Sequence, residues 1–227
     1  MIAATSDIHS PRYLNEFLAN LARLKGANID VFLLAGDLTD GGDPKFFSPI
    51  YEALKRFKVI AVFGNEDVKS KERFVELFRK VTWLDDDIAY VQVRGKSVAV
   101  IGSLGVLERP TAWQTAHGID SETYEKRLAR IHELLCEAES DYKILLTHYL
   151  PTYETAYGER REIYPELGFR LIERETCLPN IAVHGHAHKA KVVHKIVRGV
   201  RVYNVAFPAN KRIVTFPLDP LLEFQQT

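Results

Sequence analysis

Short apolar runs alternate with amphipathic helical patterns along the first part of the chain. Three of these runs are continuous and each ends at a polar or glycine residue, which is typical of buried strands; they are residues 2–5, 30–35 and 58–63. Between and after them, apolar residues recur at helical spacing, which predicts helices at 15–25, 46–57 and 68–81. This repetition of strand and helix indicates an α/β fold with buried strands.

The second part of the chain has a different pattern. Alternating residues flank Arg94-Gly95 and Arg198-Gly199, which predicts two hairpins. Further strands are predicted at 142–147, 180–183 and 211–216, and further helices at 122–139 and 166–176. No internal repeat and no linker-like stretch interrupts the pattern. We therefore expect one α/β domain over residues 1–227, with two mixed sheets and helices outside them.

Five predicted strands are followed by residue types that bind metal ions. The clusters are Asp7 with His9; Asp37 with Asp40; Asn65, Glu66 and Asp67; His148; and His186 with His188. Ligands collect beyond the carboxyl ends of strands in open α/β sheets, so the clusters lie where chemistry is expected. Carboxylates with imidazoles suit manganese, iron or zinc, and this number of ligands indicates two ions that share a bridge.

Each cluster taken alone also has a structural explanation. Asp7 and Asp37 are suited to capping a turn or a helix, and Asn65 follows a glycine as in many turns. A single histidine such as His148 is more often a hydrogen-bonded core residue than a ligand. The pair His186 and His188 is harder to explain structurally. Because all the clusters follow strands at one sheet edge, a shared site is favoured.

The ordered motifs resemble those of the calcineurin-like metallophosphoesterases. They are Asp7-x-His9, Gly36-Asp37, Gly64-Asn65-x-Asp67, His148 and Gly185-His186-x-His188. The resemblance implies a four-layer αββα sandwich of two mixed β-sheets flanked by helices. It also implies two divalent transition metal ions, with Mn²⁺ as the first expectation and Fe, Zn²⁺, Ni²⁺ or Co²⁺ as alternatives. By position, Asp7, His9 and His188 hold the first ion, Asn65, His148 and His186 hold the second, and Asp37 bridges both.

Such a centre predicts a phosphoesterase. Two divalent ions exceed the charge of Asp7 and Asp37, so the site attracts phosphate. A water between the metals is acidified enough to attack phosphorus in line with the leaving group, while the metals stabilise the phosphoryl oxygens. A small phosphodiester or nucleotide is the expected substrate. A nuclease, a phosphomonoesterase and a non-catalytic scaffold of the same fold are the alternatives, and the seven acceptable ligand positions weigh against the scaffold.

One position departs from the family pattern. The third motif is usually Gly-Asn-His, and that histidine is thought to protonate the leaving group; here the residue is Glu66. Losing a positioned acid costs on the order of a hundredfold or more, and least where the leaving group is good. We therefore expect a phosphodiesterase with a specific leaving group. The expected catalytic residues are Asp37, Asn65, Glu66 and Asp67.

Candidate substrate contacts are less specific. Residues 150–165 begin just after His148, and their arginines and tyrosines suit phosphate and bases. The predicted substrate contacts are Arg12, Tyr157, Arg160 and Arg161, and the alternatives are a solvated loop and, for Arg12, a helix cap. His117 is a candidate substitute acid, with a surface histidine as the more ordinary interpretation.

Composition narrows the partners. Thirty basic residues balance thirty acidic ones, which argues against a membrane-binding surface and against long nucleic acids as substrates. The start of the sequence lacks the features of a signal peptide, and no apolar run is long enough for a membrane span, so a cytoplasmic protein is expected. In that compartment Cys136 and Cys177 are expected to be reduced thiols, although one bridge is possible. The oligomeric state stays open.

Overall fold

The computed structural model describes residues 1–219 as eleven strands and eight α-helices. The strands are β1 (Ile2–Thr5), β2 (Val31–Ala35), β3 (Val59–Val62), β4 (Val81–Leu84), β5 (Asp87–Val93), β6 (Lys96–Ser103), β7 (Tyr142–Thr147), β8 (Ile181–His184), β9 (His194–Val197), β10 (Val200–Asn204) and β11 (Val214–Phe216). The single domain predicted over 1–227 includes residues 220–227, which lie outside the described residues.

The helices are short except for one. They are α1 (Leu14–Arg23), α2 (Ser48–Leu54), α3 (Lys71–Leu77), α4 (Ala112–Ala116), α5 (Ser121–Glu137), α6 (Tyr164–Leu167), α7 (Leu171–Arg174) and α8 (Phe207–Asn210). Within residues 1–219, none is long and apolar enough to cross a bilayer.

The strands form two mixed sheets. The first has the order β11-β1-β2-β3-β4, in which only β11 is antiparallel to its neighbour. The second has the order β5-β6-β7-β8-β10-β9, with four parallel strands in the middle and antiparallel strands at both edges. In each sheet the carboxyl ends of the central parallel strands therefore meet at one edge.

Side-chain alternation builds four layers. Ile2 and Ala4 of β1 pack between the sheets with Val100 and Ile144, whereas Ala3 between them packs outward. The outer face of the first sheet is covered by α1, α2, α3 and α8, and that of the second by α5 and α7. Because successive strand residues point to opposite faces, each sheet buries both faces. The predicted four-layer αββα sandwich is confirmed.

The helix predicted over 68–81 is wrong in its second half. A 3-10 turn at Val68–Ser70 leads into α3, which ends at Leu77, and the chain then pairs as β4. Val81 aligns with Val59 of β3 in parallel register. A four-residue strand is too short to show its own periodicity, so the apolar residues at its start read as the end of the helix.

The helix predicted over 166–176 is interrupted. The backbone of Phe169 donates to the carbonyl of Leu150 at 3.0 Å, which ends α6 and delays α7 until Leu171. Gly168 permits this pairing because a Cβ there would overlap the Leu150 carbonyl. The competing interaction comes from residues far away in the sequence, which local spacing does not reveal.

The prediction of two reduced thiols is also wrong. Cys136, near the end of α5, is joined to Cys177, in the segment before β8, by a disulfide that spans 41 residues. Their Cα atoms lie 5.1 Å apart because α5 packs across the outer face of the second sheet. This proximity arises from helix-on-sheet packing and leaves no trace in the spacing of the two cysteines.

Candidate metal centre

The five predicted clusters meet where the edges of the two sheets join. Backbone and side-chain hydrogen bonds cross from one sheet to the other at this point. Ser6 donates its N–H to Val205 O at 3.2 Å, and His148 Nδ1 donates to Ala35 O at 2.9 Å. Since a carbonyl can only accept, this contact places a proton on Nδ1, and Nε2 faces the centre. The centre is therefore assembled from both sheets.

The first group of side chains is Asp7, His9 and His188, whose ligand atoms all lie within 4.8 Å of one another. His188 Nε2 lies 2.8 Å from Asp7 Oδ1, and the second carboxylate oxygen accepts from Ser6 Oγ and from the His186 N–H. Asp7 is completely buried. This is the set that the resemblance implied for the first ion.

The second group is Asp37, His148 and His186, again within 4.8 Å of one another. His148 Nε2 is 3.5 Å from Asp37 Oδ2 and 3.0 Å from Asn65 Oδ1, so Asn65 joins this group. Asp37 also forms a further group with His9 and Glu66. Asp37 therefore takes part in two ligand groups, one with His148 and His186 and one with His9 and Glu66.

Four of these residues have a left-handed backbone. The φ angles are 55° at Asp7, 42° at His9, 49° at Asp37 and 67° at His186. Such a conformation costs on the order of 1–2 kcal/mol for a residue with a side chain, although aspartate and histidine tolerate it better than most. Strain of this kind persists where the surrounding structure enforces it and is concentrated at functional sites. Here it turns the side chains that follow three strands toward one point.

Two glycines allow the backbone to approach these ligands closely. A Cβ on Gly64 would overlap Asp37 Oδ1 and the Asp37 backbone, and one on Gly185 would come within 2.5 Å of Asp7 Oδ2. Any side chain at either position would displace a carboxylate from its group. The glycines of the third and fifth motifs are thus required by packing around the ligands.

Opposite charges control the protonation of the buried groups. Burial raises the pKa of Asp37, but the charge of His148, the hydrogen bond with His148 and the hydrogen bond from the Glu66 backbone together lower it overall. Burial lowers the pKa of His148, while the charge of Asp37 and the hydrogen bond to it raise the pKa to about 9. His186 behaves in the other direction, since burial and repulsion by His148 lower its pKa to about 3. For Asp7, burial raises the pKa, but the hydrogen bonds from His188 and Ser6 and the charges of His148 and His188 together lower it overall.

The ring nitrogens of His9 show whether the residues of this centre suit bound cations. Its ring is buried, and neither nitrogen has a hydrogen-bond partner among residues 1–219. The nearest carboxylate oxygens are at 3.6 Å on Asp40 and 3.7 Å on Glu66. A buried polar group without a partner costs free energy, which a coordinated ion would recover. With two buried carboxylates nearby, the donor chemistry of both groups fits divalent transition metals.

Glu66 and Asp67 differ in their surroundings. The Glu66 N–H donates to Asp37 Oδ1 at 2.9 Å, and the Glu66 carboxylate accepts from Gly41 N at 2.6 Å. Asp67 is fully buried, and one oxygen accepts from the backbones of Leu38 and Gly64 at 3.1 and 3.2 Å. Asp67 therefore ties together the loops that carry Asp37 and Asn65. Burial and the charge of Asp37 raise its pKa to about 7.

Arg12 lies beside the first group. Its guanidinium is 3.0 Å from Asp40 Oδ1, and it is mostly exposed. Asp40 belongs to none of the ligand groups within the described residues. His184 is fully buried, and its Nε2 lies 2.7 Å from Thr155 Oγ1.

A cavity of about 360 Å³ adjoins the second group. It is lined by Asn65, Glu66, Lys69, Leu107, Thr111, Trp113, Gln114, Tyr149, Glu166 and His186. Four of these residues, Leu107, Thr111, Trp113 and Gln114, lie between the first predicted hairpin and the helix predicted at 122–139, where the sequence pattern predicted no element. Thr111 and Gln114 form a capping box that begins α4, a signature visible in the sequence. Trp113 projects from α4 with 64% of its surface exposed, and His117 stacks on it at 3.9 Å.

The loop 150–165 borders a different cavity. Tyr157 and Arg161 line a volume of about 610 Å³, and Arg160 is exposed on the same loop. Lys191 N donates to Tyr157 O at 2.7 Å, which ties the loop to the segment after His188. Tyr157 and Arg161 therefore line a cavity other than the 360 Å³ cavity, and the roles of these two residues and of Arg160 stay predictions.

The model of the calcineurin-like phosphoesterase family matches residues 1–190. Solved structures with a similar fold include a hypothetical protein from Thermus thermophilus, with TM-score 0.58, 16% identity, and coverage of 89% of this chain and 74% of that one. A dimetal phosphatase from Danio rerio has a TM-score of 0.59 and 10% identity, and the match covers 89% of this chain and 86% of that one. A NAD nucleotidase from Haemophilus influenzae has a TM-score of 0.55 and 15% identity. The match covers 91% of this chain and 45% of that one, so this chain spans less than half of that protein. No curated protein matches the sequence.

Proposed function

The chain belongs to the calcineurin-like phosphoesterase family and is a phosphate-ester hydrolase, and we propose that it hydrolyses small phosphodiesters with the help of two divalent metal ions. The observation that carries this proposal is the pair of ligand groups that meet at Asp37. Asp7, His9 and His188 would hold one ion; Asn65, His148 and His186 would hold the other. Mn²⁺ is the first expectation for the metal.

The bound cations would acidify a water between them and stabilise charge on the phosphoryl oxygens. The protein's own contribution is to hold their ligands in place. His148 directs Nε2 inward because Nδ1 is committed to the Ala35 carbonyl. Asp67 joins the loops of Asp37 and Asn65 by accepting hydrogen bonds from the Leu38 and Gly64 backbones, so we assign it a positioning role.

Position 66 supports a diester with a good leaving group. Where relatives carry a histidine, Glu66 hydrogen-bonds to the Gly41 backbone and faces His9. No imidazole at this position is available to protonate a leaving oxygen, so a leaving group that departs as a stable anion is favoured. The adjoining cavity of about 360 Å³ suits a small ligand, and the exposed ring of Trp113 is suited to stacking on an aromatic or nucleobase group.

Four further residues are proposed to contact substrate. The Arg12 guanidinium lies 3.0 Å from Asp40 Oδ1, and the same oxygen lies 3.6 Å from His9 Nδ1 of the first group. Arg12 would therefore contact a phosphate oxygen bound beside that group. Tyr157, Arg160 and Arg161 would contact only substrates that extend beyond the small cavity toward loop 150–165.

A metal-reconstituted substrate screen tests the proposal. Aryl phosphodiesters, aryl monoesters, cyclic nucleotides and single-stranded DNA are compared on the same preparation, with Asp37→Ala as the blank. We expect about two bound ions per chain and the highest kcat/KM on a small diester. Higher turnover of the monoester would contradict the argument from Glu66, a preference for DNA would favour the nuclease, and no metal uptake would favour a scaffold.

We propose a cytoplasmic location, as the sequence predicts, and the disulfide is the observation that argues against it. The disulfide between Cys136 and Cys177 is of a kind that is rare in the cytosol, except in hyperthermophiles. Fractionation of the source organism, followed by alkylation of free thiols, would test location and oxidation state together.

A further inference from the structure

A second cluster of metal-ligand residues lies outside the candidate metal centre. It surrounds the disulfide on the outer face of the second sheet and comprises His132, Cys136, Glu175 and Cys177. None of these residues belongs to the ligand groups around Asp37. We propose that reduction of the disulfide converts this cluster, here called the thiol cluster, into a binding site for one Zn²⁺ ion.

The two halves of the thiol cluster come from local spacings that place side chains together. His132 and Cys136 are four residues apart on α5 and share one face of the helix, with Sγ 3.6 Å from the nearer ring nitrogen. Glu175 and Cys177 are two apart in the segment between α7 and β8. One ligand atom each from His132, Cys136 and Glu175 lies within 4.8 Å of the others, and Cys177 Sγ is bonded to Cys136 Sγ.

Glu175 is fixed in place before any metal binds. Its side chain is almost fully buried, and Oε1 accepts from the backbones of Thr176 at 2.6 Å and Cys177 at 2.8 Å. The same oxygen lies 2.8 Å from His132 Nδ1. His132 is about half exposed and lines a cavity of about 370 Å³, so an ion can enter from solvent. Two of the four ligands are thus already oriented toward each other by the folded chain.

The chemistry balances with a dithiol as the reductant. The dithiol gives two electrons and two protons, the bond between Cys136 and Cys177 breaks, and the dithiol leaves as its own disulfide. Binding of Zn²⁺ then releases both thiol protons to solvent. Two thiolates, an imidazole and a carboxylate form a four-ligand set that zinc accepts, with metal–sulfur distances of about 2.3 Å. The oxygen and nitrogen ligands around Asp37 lack sulfur, so the two kinds of site differ in softness.

The proposed ion would replace the disulfide as the link between α5 and the segment before β8. In both redox states one bridge would then hold the helix against the second sheet. Metal binding to the folded form would recover part of the stability that reduction removes, because an ion that binds only the native state stabilises it.

Cobalt provides a direct test. The protein is reduced with a phosphine, cleared of metal with a chelator and titrated with Co²⁺ under argon. A sulfur-to-cobalt charge-transfer band in the near ultraviolet reports thiolate ligands, and the chain's two cysteines both lie in the thiol cluster. We expect one equivalent of this band in the reduced protein, no band in the oxidised protein, and loss of the band on adding one equivalent of Zn²⁺.

Matched variants separate a four-ligand site from two free thiols. His132→Ala is expected to weaken Co²⁺ binding by at least about tenfold, whereas His194→Ala, at an exposed histidine on β9, leaves it unchanged. No thiolate band in the reduced wild-type protein overturns the proposal, and so does equal affinity in His132→Ala. If reduction unfolds the chain, failure of Zn²⁺ to restore the native far-ultraviolet circular dichroism overturns it as well. Activity on phosphodiesters is not the readout, so the result is independent of the proposed function.

Discussion

Removing the disulfide between Cys136 and Cys177 is expected to lower stability by about 4 kcal/mol. The perturbation is the double variant Cys136→Ser, Cys177→Ser. The bond closes a loop of 41 residues. In the chain-entropy account, a closed loop of that length removes about 13 cal/mol/K from the unfolded chain, which is about 4 kcal/mol at 25 °C. Cys136 is exposed and Cys177 partly exposed, so loss of packing adds little.

The assay is thermal unfolding by calorimetry, with chelator present in every sample so that metal binding does not contribute. At about 2.1 cal/mol/K per residue, a chain of this length shifts its Tm by about 8 °C for that change in free energy. Reduced wild-type protein is the control and is expected to unfold within about 2 °C of the double variant. A double variant that melts within about 2 °C of the oxidised wild type would refute the loop-entropy reasoning.

Three further predictions concern the centre. Asp37 raises the pKa of His148 to about 9 despite burial, so the charged His148 stabilises the folded, metal-free protein. This stabilisation is complete below about pH 6.5, and roughly 3 kcal/mol of it is lost as the pH rises through 9. The free energy of unfolding is measured in urea on chelated samples at each pH, and a value that does not change with pH would contradict the pairing. Glu66→His is expected to raise the ratio of kcat for aryl monoesters to kcat for aryl diesters about tenfold or more, because the histidine restores an acid for the leaving group. An unchanged ratio would contradict this reasoning. Trp113→Ala is expected to raise KM for aryl diesters about threefold to tenfold, while KM for an alkyl diester serves as the control and stays constant.

The clustering of the candidate ligands was predictable because parallel strands impose a common edge. A residue that follows a buried strand lies at that edge whatever the length of the intervening helix, so Asp7, Asp37 and Asn65 could be grouped from order alone. His148 and His186 follow the same rule in the second sheet. The backbone conformations that aim these side chains were not predictable, since a left-handed aspartate leaves no pattern in the sequence.

The wall of the cavity was not predictable for a different reason. Trp113 and Lys69 line the cavity beside the second group only because the tertiary fold brings α4 and the turn before α3 together there. The same holds for Gly168, whose neighbour pairs with a residue that is distant in sequence, and for the disulfide. Local periodicity reports which face of an element is buried and does not report which other element covers it.

The division of the centre between the two sheets has a mechanical consequence. Asp7, Asp37 and Asn65 belong to the first sheet, while the histidines that follow β7 and β8 belong to the second. Under the proposed function, ions held by both sets would link the two sheets, in addition to the apolar packing and the hydrogen bonds between them. Metal affinity and the packing of the two sheets would then be coupled, because ions that bind only the assembled centre stabilise the packed arrangement and would be released if the sheets separated.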